Sequence, residues 1–165
     1  MKLDEIREEL LGQHAAIRGL VEVAEEAAAE ALAVARGGAS GAVAEEDRAG
    51  EAGTRLRAHL LKLQDALERH NAREEGLLRG VIRRVDAWGD VREMLMDAHH
   101  AGEHHGILAA LDGTRAVGER AGETAVLEVQ ALLGRLRAHI KEEEEKILHP
   151  RVLTDDIVGG DTFGG

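Results

Sequence analysis

Two stretches of the chain carry residue types and a spacing suited to chemistry: His70-Asn-Ala-Arg-Glu74 and His139-Ile-Lys-Glu-Glu143. In each, a glutamate follows a histidine by four positions, with leucine or isoleucine just beyond. His100 and His104 repeat that spacing as a histidine pair, and His14 sits alone, in phase with Leu10 and Ile17. On a helix, residues four apart are rotated by about 400° and separated by about 6 Å along the axis, so each pair aims at one spot. All seven lie where an amphipathic helix keeps its apolar seam. Buried without partners, each would cost about 1–3 kcal/mol or more. A bound metal would satisfy them together. Five imidazoles and two carboxylates exceed the four ligands that zinc takes. They suit two six-coordinate ions such as iron or manganese with carboxylates bridging, and a set so rich in nitrogen favours iron over magnesium or calcium.

The elements that must position these groups follow from the apolar period. A first helix is expected from about Asp4 to Ala35, with Leu3, Ile6, Leu10, His14, Ile17, Val21, Ala24 and Ala28 recurring at three- and four-residue steps. Glu5, Glu8 and Glu9 suit its positive end, and Gly37-Gly38 should stop it. Arg36 to Gly53 reads as a loop fraying into a second helix over Thr54 to Val85, whose seam is Leu56, Leu60, Leu63, Leu67, His70, Glu74, Leu77 and Val81. After the turn Asp86 to Gly89, Asp90 with Glu93 three residues on resembles an N-cap and its reciprocal acid. The third helix then runs to Asp112-Gly113 on a seam of Met96, His100, His104, Ile107 and Leu111. A glycine-rich link, Gly113 to Gly122, precedes a fourth helix from Glu123 to His149, ended by Pro150. Its seam is Val126, Val129, Leu133, Leu136, His139, Ile140, Glu143 and Ile147.

Four long amphipathic helices with short links imply an all-α, antiparallel up-down four-helix bundle over residues 1–150, with a loose glycine-rich tail over 151–165. The halves echo each other: QHAAIRGL in the first helix matches EHHGILAAL in the third, and LERHNAREEGLL matches LRAHIKEEEEKIL. The chain is a degenerate two-fold repeat of helix pairs.

Composition narrows the partners. Of 165 residues, 44% are apolar, yet there is one Trp, one Phe and no Tyr, and helix formers dominate. A formal net charge of −11 argues against nucleic acid or an anionic membrane as partner and suits a chain that carries cations. No apolar run is long enough to span a bilayer. The acidic, amphipathic MKLDEIREELL is unlike a signal peptide, so a cytoplasmic location is expected. The absence of cysteine removes disulfides and thiolate ligands.

The remaining histidines fit blander roles. His59 lies about 16 Å along the axis from His70, too far to share its ion, and reads as a core histidine. His99 and His105 point away from the seam, and His149 suits a helix-end position. Within Glu142 to Glu145, a solvated charge run accounts for Glu142 and Glu145 but not for Glu143, which is in phase with Leu136 and Ile147.

With these residues in place, the sequence resembles the hemerythrin-like (HHE cation-binding) family from about Leu10 to Pro150, through QHAAIR, HNAREEGLL, HHAGEHHGIL and HIKEEEEKILHP. The resemblance implies two iron ions joined by an oxo or hydroxo bridge. His14 and His70 would hold one, His100, His104 and His139 the other, with Glu74 and a carboxylate of the fourth helix bridging. The two-histidine iron would keep an open position for oxygen, peroxide, nitric oxide or a small anion. Oxygen-carrying members place Asp five residues after the fourth-helix histidine. Here position +4 is Glu143 and +5 is Glu144; many members use +4, so Glu143 is expected and Glu144 is the alternative. Ile17, Leu67, Ile107 and Ile140 would line the pocket in place of Phe and Trp.

The expected function is therefore a di-iron protein that binds, stores or senses oxygen, or handles peroxide or nitric oxide. Cluster repair is disfavoured, since the repair proteins resembling this domain carry a cysteine-bearing segment. The alternatives are iron storage or sensing without oxygen chemistry, and a histidine phosphotransfer bundle, to which RAHLLKLQDAL around His59 and Lys62 bears a faint likeness. A ferritin-like oxidase would use Glu-x-x-His instead.

Overall fold

The computed structural model describes residues 2–37, 43–85, 89–114 and 122–149, and the side chains of 2–37, 47–79, 98–114 and 122–149. Four helices run through them: α1 (Leu3–Gly37), α2 (Val43–Val85), α3 (Gly89–Gly113) and α4 (Glu123–Lys146). No strand occurs among the described residues. Each helix packs on the next and α1 on α4, closing a ring of four. Cross-helix pairs set the directions. Glu9 meets Arg73 while Glu30 meets Arg55, so α2 descends as α1 climbs. Arg18 meets Glu144 while Arg36 meets Glu123, so α4 also runs against α1. The antiparallel four-helix bundle expected from the sequence is what forms.

The seams face inward as the period requires. Ile6, Leu10, His14, Ile17, Val21, Ala24 and Ala28 of α1 are all buried, as are Val126, Val129, Leu133, Leu136, His139, Ile140 and Glu143 of α4. On α2 the buried residue beyond Glu74 is Leu78, with Leu77 half-buried. Two apolar layers result. The larger reaches from Ile17, Leu67, Ile107 and Ile140 to the far end of the bundle. The smaller joins Ile6, Leu10, Leu78 and Leu148. The histidines and glutamates lie between them, so dry side chains close the polar layer from above and below. Each fully buried Leu or Ile in these layers stabilises the fold by about 1.5–3 kcal/mol.

Three boundaries differ from the sequence reading. The helix α2 begins at Val43, so most of the expected loop from Arg36 to Gly53 is helical. Ala, Glu and Arg dominate Val43–Gly53 and outweigh Gly50 and Gly53, each worth about 1 kcal/mol against the helix. Ala52 is buried against the alanine face of α1, which rewards the extension. The helix α3 starts at Gly89, so Asp90 falls inside its first turn and does not precede it. The helix α4 ends at Lys146, short of His149, because the Ile147 and Leu148 amides both donate to the Glu143 carbonyl, at 2.8 and 2.9 Å, and turn Leu148 into the small apolar layer. Pro150, Met96, Val81, the turn Asp86–Trp88 and the tail from Arg151 lie outside the residues or side chains described.

Candidate metal centre

All seven residues singled out by spacing meet in one layer. His14, His70, Glu74, His104, His139 and Glu143 are buried, and His100 is 15% exposed. Helical phase explains the convergence: α2 and α4 each deliver a histidine and, one turn on, a glutamate; α3 delivers two histidines one turn apart; α1 delivers one. Two groups result, each with donor atoms mutually within 4.8 Å: His100, His104, His139 and Glu143, and His14, His70 and Glu143.

Glu143 belongs to both groups and divides its oxygens between them. Its Oε1 lies 2.8 Å from His139 Nε2, 3.0 Å from His104 Nε2 and 3.3 Å from His100 Nε2. Its Oε2 lies 3.2 Å from His14 Nε2 and 3.9 Å from His70 Nε2. Glu74 turns one oxygen, Oε2, to His100 at 3.0 Å, His104 at 3.6 Å and His70 at 3.7 Å. Its Oε1 is buried without a hydrogen bond.

The outer ring nitrogens identify the protons. His14 Nδ1 lies 3.1 Å from Glu144 Oε1, and a carboxylate can only accept, so Nδ1 donates. His70 Nδ1 lies 2.9 Å from Gln13 Oε1. The Gln13 amide is oriented by its Nε2, which donates to Glu9 at 3.4 Å and leaves the carbonyl for His70. With its proton on Nδ1, a neutral ring at either position would present an Nε2 lone pair to the layer. Those two nitrogens stand 3.1 Å apart. Two lone pairs at that distance repel unless a proton or a cation lies between them. Two nitrogens bound at right angles to one ion at about 2.1 Å would lie about 3 Å apart, so the spacing fits a shared ion.

Further orphans point the same way. His139 Nε2, Glu74 Oε1 and Glu143 Oε2 are buried and make no hydrogen bond, although a charged partner lies close to two of them. Buried polar atoms are normally satisfied. A cluster of unsatisfied donor atoms, all aimed at one layer, matches the requirements of bound cations.

Electrostatics agree. Burial pushes the His100 imidazole down, but its hydrogen bond to Glu74 and the charges of Glu74, Glu143 and Glu103 outweigh this and raise it. For His139, burial is likewise overcome by Glu143, and the result is again upward. Burial raises the Glu143 carboxyl, yet the surrounding imidazoles of His104, His139, His14 and His70 hold it far below the usual carboxylate range. The centre is thus a buried anion ringed by bases, in which protons stand where cations could.

The other histidines lie apart from the layer. His99 is exposed and 3.8 Å from Glu103, and His105 is exposed with Nδ1 donating to the Ala101 carbonyl. His59 is half-buried, not fully enclosed as a core histidine would be; the adjacent Lys62 is exposed. His149 is half-buried just past the end of α4. Glu142 and Glu145 are exposed and pair with Lys146 and Lys141. Glu144 faces His14 from outside the layer, 26% exposed, and also binds Arg18.

Sequence reasoning missed the outer partners Gln13, Glu144 and Glu103. Glu103 Oε2 lies 3.3 Å from His139 Nδ1. The internal repeat holds a signal for two of them: Gln13 precedes His14 as Glu103 precedes His104, and each approaches the histidine of the next helix in the chain.

A four-helix bundle with a buried layer of imidazoles and shared carboxylates is a cation-binding bundle. The Hemerythrin HHE cation binding domain matches residues 5–151, nearly the whole chain, and the protein belongs to that family. No curated protein and no solved structure gives a significant match. Among the described residues, no helix is long and apolar enough to cross a membrane.

Proposed function

We propose that this protein is a non-haem di-iron protein that binds oxygen, or a related small molecule such as peroxide, nitric oxide or a small anion. The observation that carries the reading is the division of the Glu143 oxygens between two groups of imidazoles. One carboxylate shared by two donor sets calls for two ions side by side. His14 and His70 would hold one ion; His100, His104 and His139 would hold the other. Glu143 would join them, and Glu74, whose Oε2 faces histidines of both groups, would be the second shared carboxylate. When bound, an iron pair with an oxo or hydroxo bridge supplies an exchangeable coordination position and the electrons for binding or reducing a small ligand.

The chain's own residues would provide the rest. The two-histidine half offers one imidazole fewer than its neighbour, which leaves room for an exogenous ligand there. Leu10 and Ile17 flank His14 by a turn on either side, and both are fully enclosed. With Leu67 below His70, they keep bulk water from that half. The nitrogen-rich donor set supports iron over harder cations.

Stopped-flow mixing of the reduced protein with oxygen, peroxide and nitric oxide tests the reading. A stable adduct with oxygen or nitric oxide is expected of a carrier or sensor, and rapid consumption of peroxide of an enzyme. An iron-loaded protein inert to all three would overturn the small-molecule reading and leave iron storage or sensing.

A further inference from the structure

The two halves of the centre are related by the internal repeat, yet they are not supported alike. His14 corresponds to His104, His70 to His139 and Glu74 to Glu143. Around the two-histidine half, both outer ring nitrogens are hydrogen-bonded: His14 to Glu144 at 3.1 Å and His70 to Gln13 at 2.9 Å. Each acceptor is itself held. Arg18 Nη1 donates to Glu144 Oε1 at 2.5 Å. Gln13 donates to Glu9, which Arg73 grips through Nε at 2.5 Å and Nη2 at 2.9 Å.

The corresponding positions around the three-histidine half are supported less fully. His104 Nδ1 is buried with no hydrogen bond. Glu75, the counterpart of Glu144, lies 4.0 Å from Arg79. Glu103, the counterpart of Gln13, approaches His139 at 3.3 Å. The two arginine anchors are replaced in the repeat: Leu108 stands for Arg18 and Glu142 for Arg73.

We propose that Glu144 and Gln13 are positioning residues for the two-histidine half, each accepting an Nδ1–H so that His14 and His70 present Nε2 to the same ion. Arg18, and Arg73 through Glu9, hold them in place from the bundle surface. Helical phase alone leaves an imidazole free to turn about its last bond. A third imidazole can offset that freedom at the neighbouring half; a two-imidazole half has no such reserve. The outer layer is therefore more complete where the ligand set is smaller. It also gives Glu144 a use beside Glu143: one glutamate faces the ions, and the next orients a ligand. The inference rests on the two-ion reading above.

Anaerobic titration of the metal-free protein with ferrous iron, followed by calorimetry, tests it. The unaltered protein should take up two equivalents. Glu144→Ala and Gln13→Ala should each weaken one equivalent by about 10–100-fold, the usual effect of removing an outer partner, and leave the other unchanged. Glu144→Gln keeps an acceptor oxygen and should fall between. Glu145→Ala, an exposed neighbour, serves as the control for a lost surface charge. Two equivalents at unaltered affinity in both alanine variants, or equal weakening of both equivalents, would overturn the proposal and leave the two-ion reading standing. An unaltered protein that takes up no iron would overturn both. Circular dichroism of the metal-free variants separates positioning from misfolding. If Glu144→Ala fails to fold, Gln13→Ala on the opposite side of α1 decides the question.

Discussion

Glu143→Gln is the most searching perturbation of the centre. The change keeps the volume of the side chain in its buried layer but removes the charge that two donor groups share. Because Oε1 faces three imidazoles and Oε2 the other two, both proposed ions would lose a ligand at once. His70→Ala, in contrast, removes a ligand from the two-histidine group only. A cation present at about 1,000 times its dissociation constant stabilises a protein by about 4 kcal/mol. Two ions would contribute about 8 kcal/mol, and for a chain of this size each kcal/mol moves the melting temperature by about 2–4 °C. The unaltered protein should therefore melt about 16–32 °C higher with ferrous iron than with chelator, in anaerobic thermal melts. His70→Ala should keep about half of that gain and Glu143→Gln almost none. Glu144→Gln should keep most of it. A Glu143→Gln protein that retains half the gain or more, or a Glu144→Gln protein that loses it all, would refute the assignment of Glu143 as the shared ligand.

Other outcomes follow from the same structure. Because His100 and His139 are raised above the ordinary imidazole value of 6.5, a cation must displace protons from them, so iron affinity should fall as pH drops and calorimetry in buffers of different ionisation heat should register proton release. In the metal-free protein, the histidine contribution is complete below 6.5 and lost as pH rises through the raised values. The Glu143 contribution is present above 4.5 and lost as pH falls, so the metal-free melting temperature should peak between those two values. Leu133→Ala empties a fully buried position in the large apolar layer and should cost about 2–5 kcal/mol in a denaturant melt, without changing the number of ions bound. His59→Ala should leave both the iron stoichiometry and the ferrous affinity unaltered in the same titration, since His59 lies outside both donor groups.

The inward direction of the seven residues was legible because a helix fixes the facing of a side chain from its position in the period. His70 and Glu74 could hardly point elsewhere once Leu63 and Leu67 were placed in the core. The choice between Glu143 and Glu144 was less accessible. They are neighbours about 100° apart on one helix, and the rotation of α4 about its own axis decides which enters the layer. Packing settles it through Leu136 and Ile140, which turn Glu143 inward and leave Glu144 over His14. The start of α2 was obscured by Gly50 and Gly53, which local propensity reads as a loop and which contact with the alanines of α1 overrides. The outer partners were hidden for a third reason. Gln13–His70 and Arg18–Glu144 depend on the register between helices far apart in sequence, which no single periodicity contains.

The central claim is that two cations sit side by side, joined through Glu143, and the most direct measurement is the iron content and absorption spectrum of the purified protein. Two iron ions per chain are expected, with the absorption of an oxo-bridged pair that shifts on adding azide. A protein that binds one iron or none, and is as stable without metal as with it, would contradict the account.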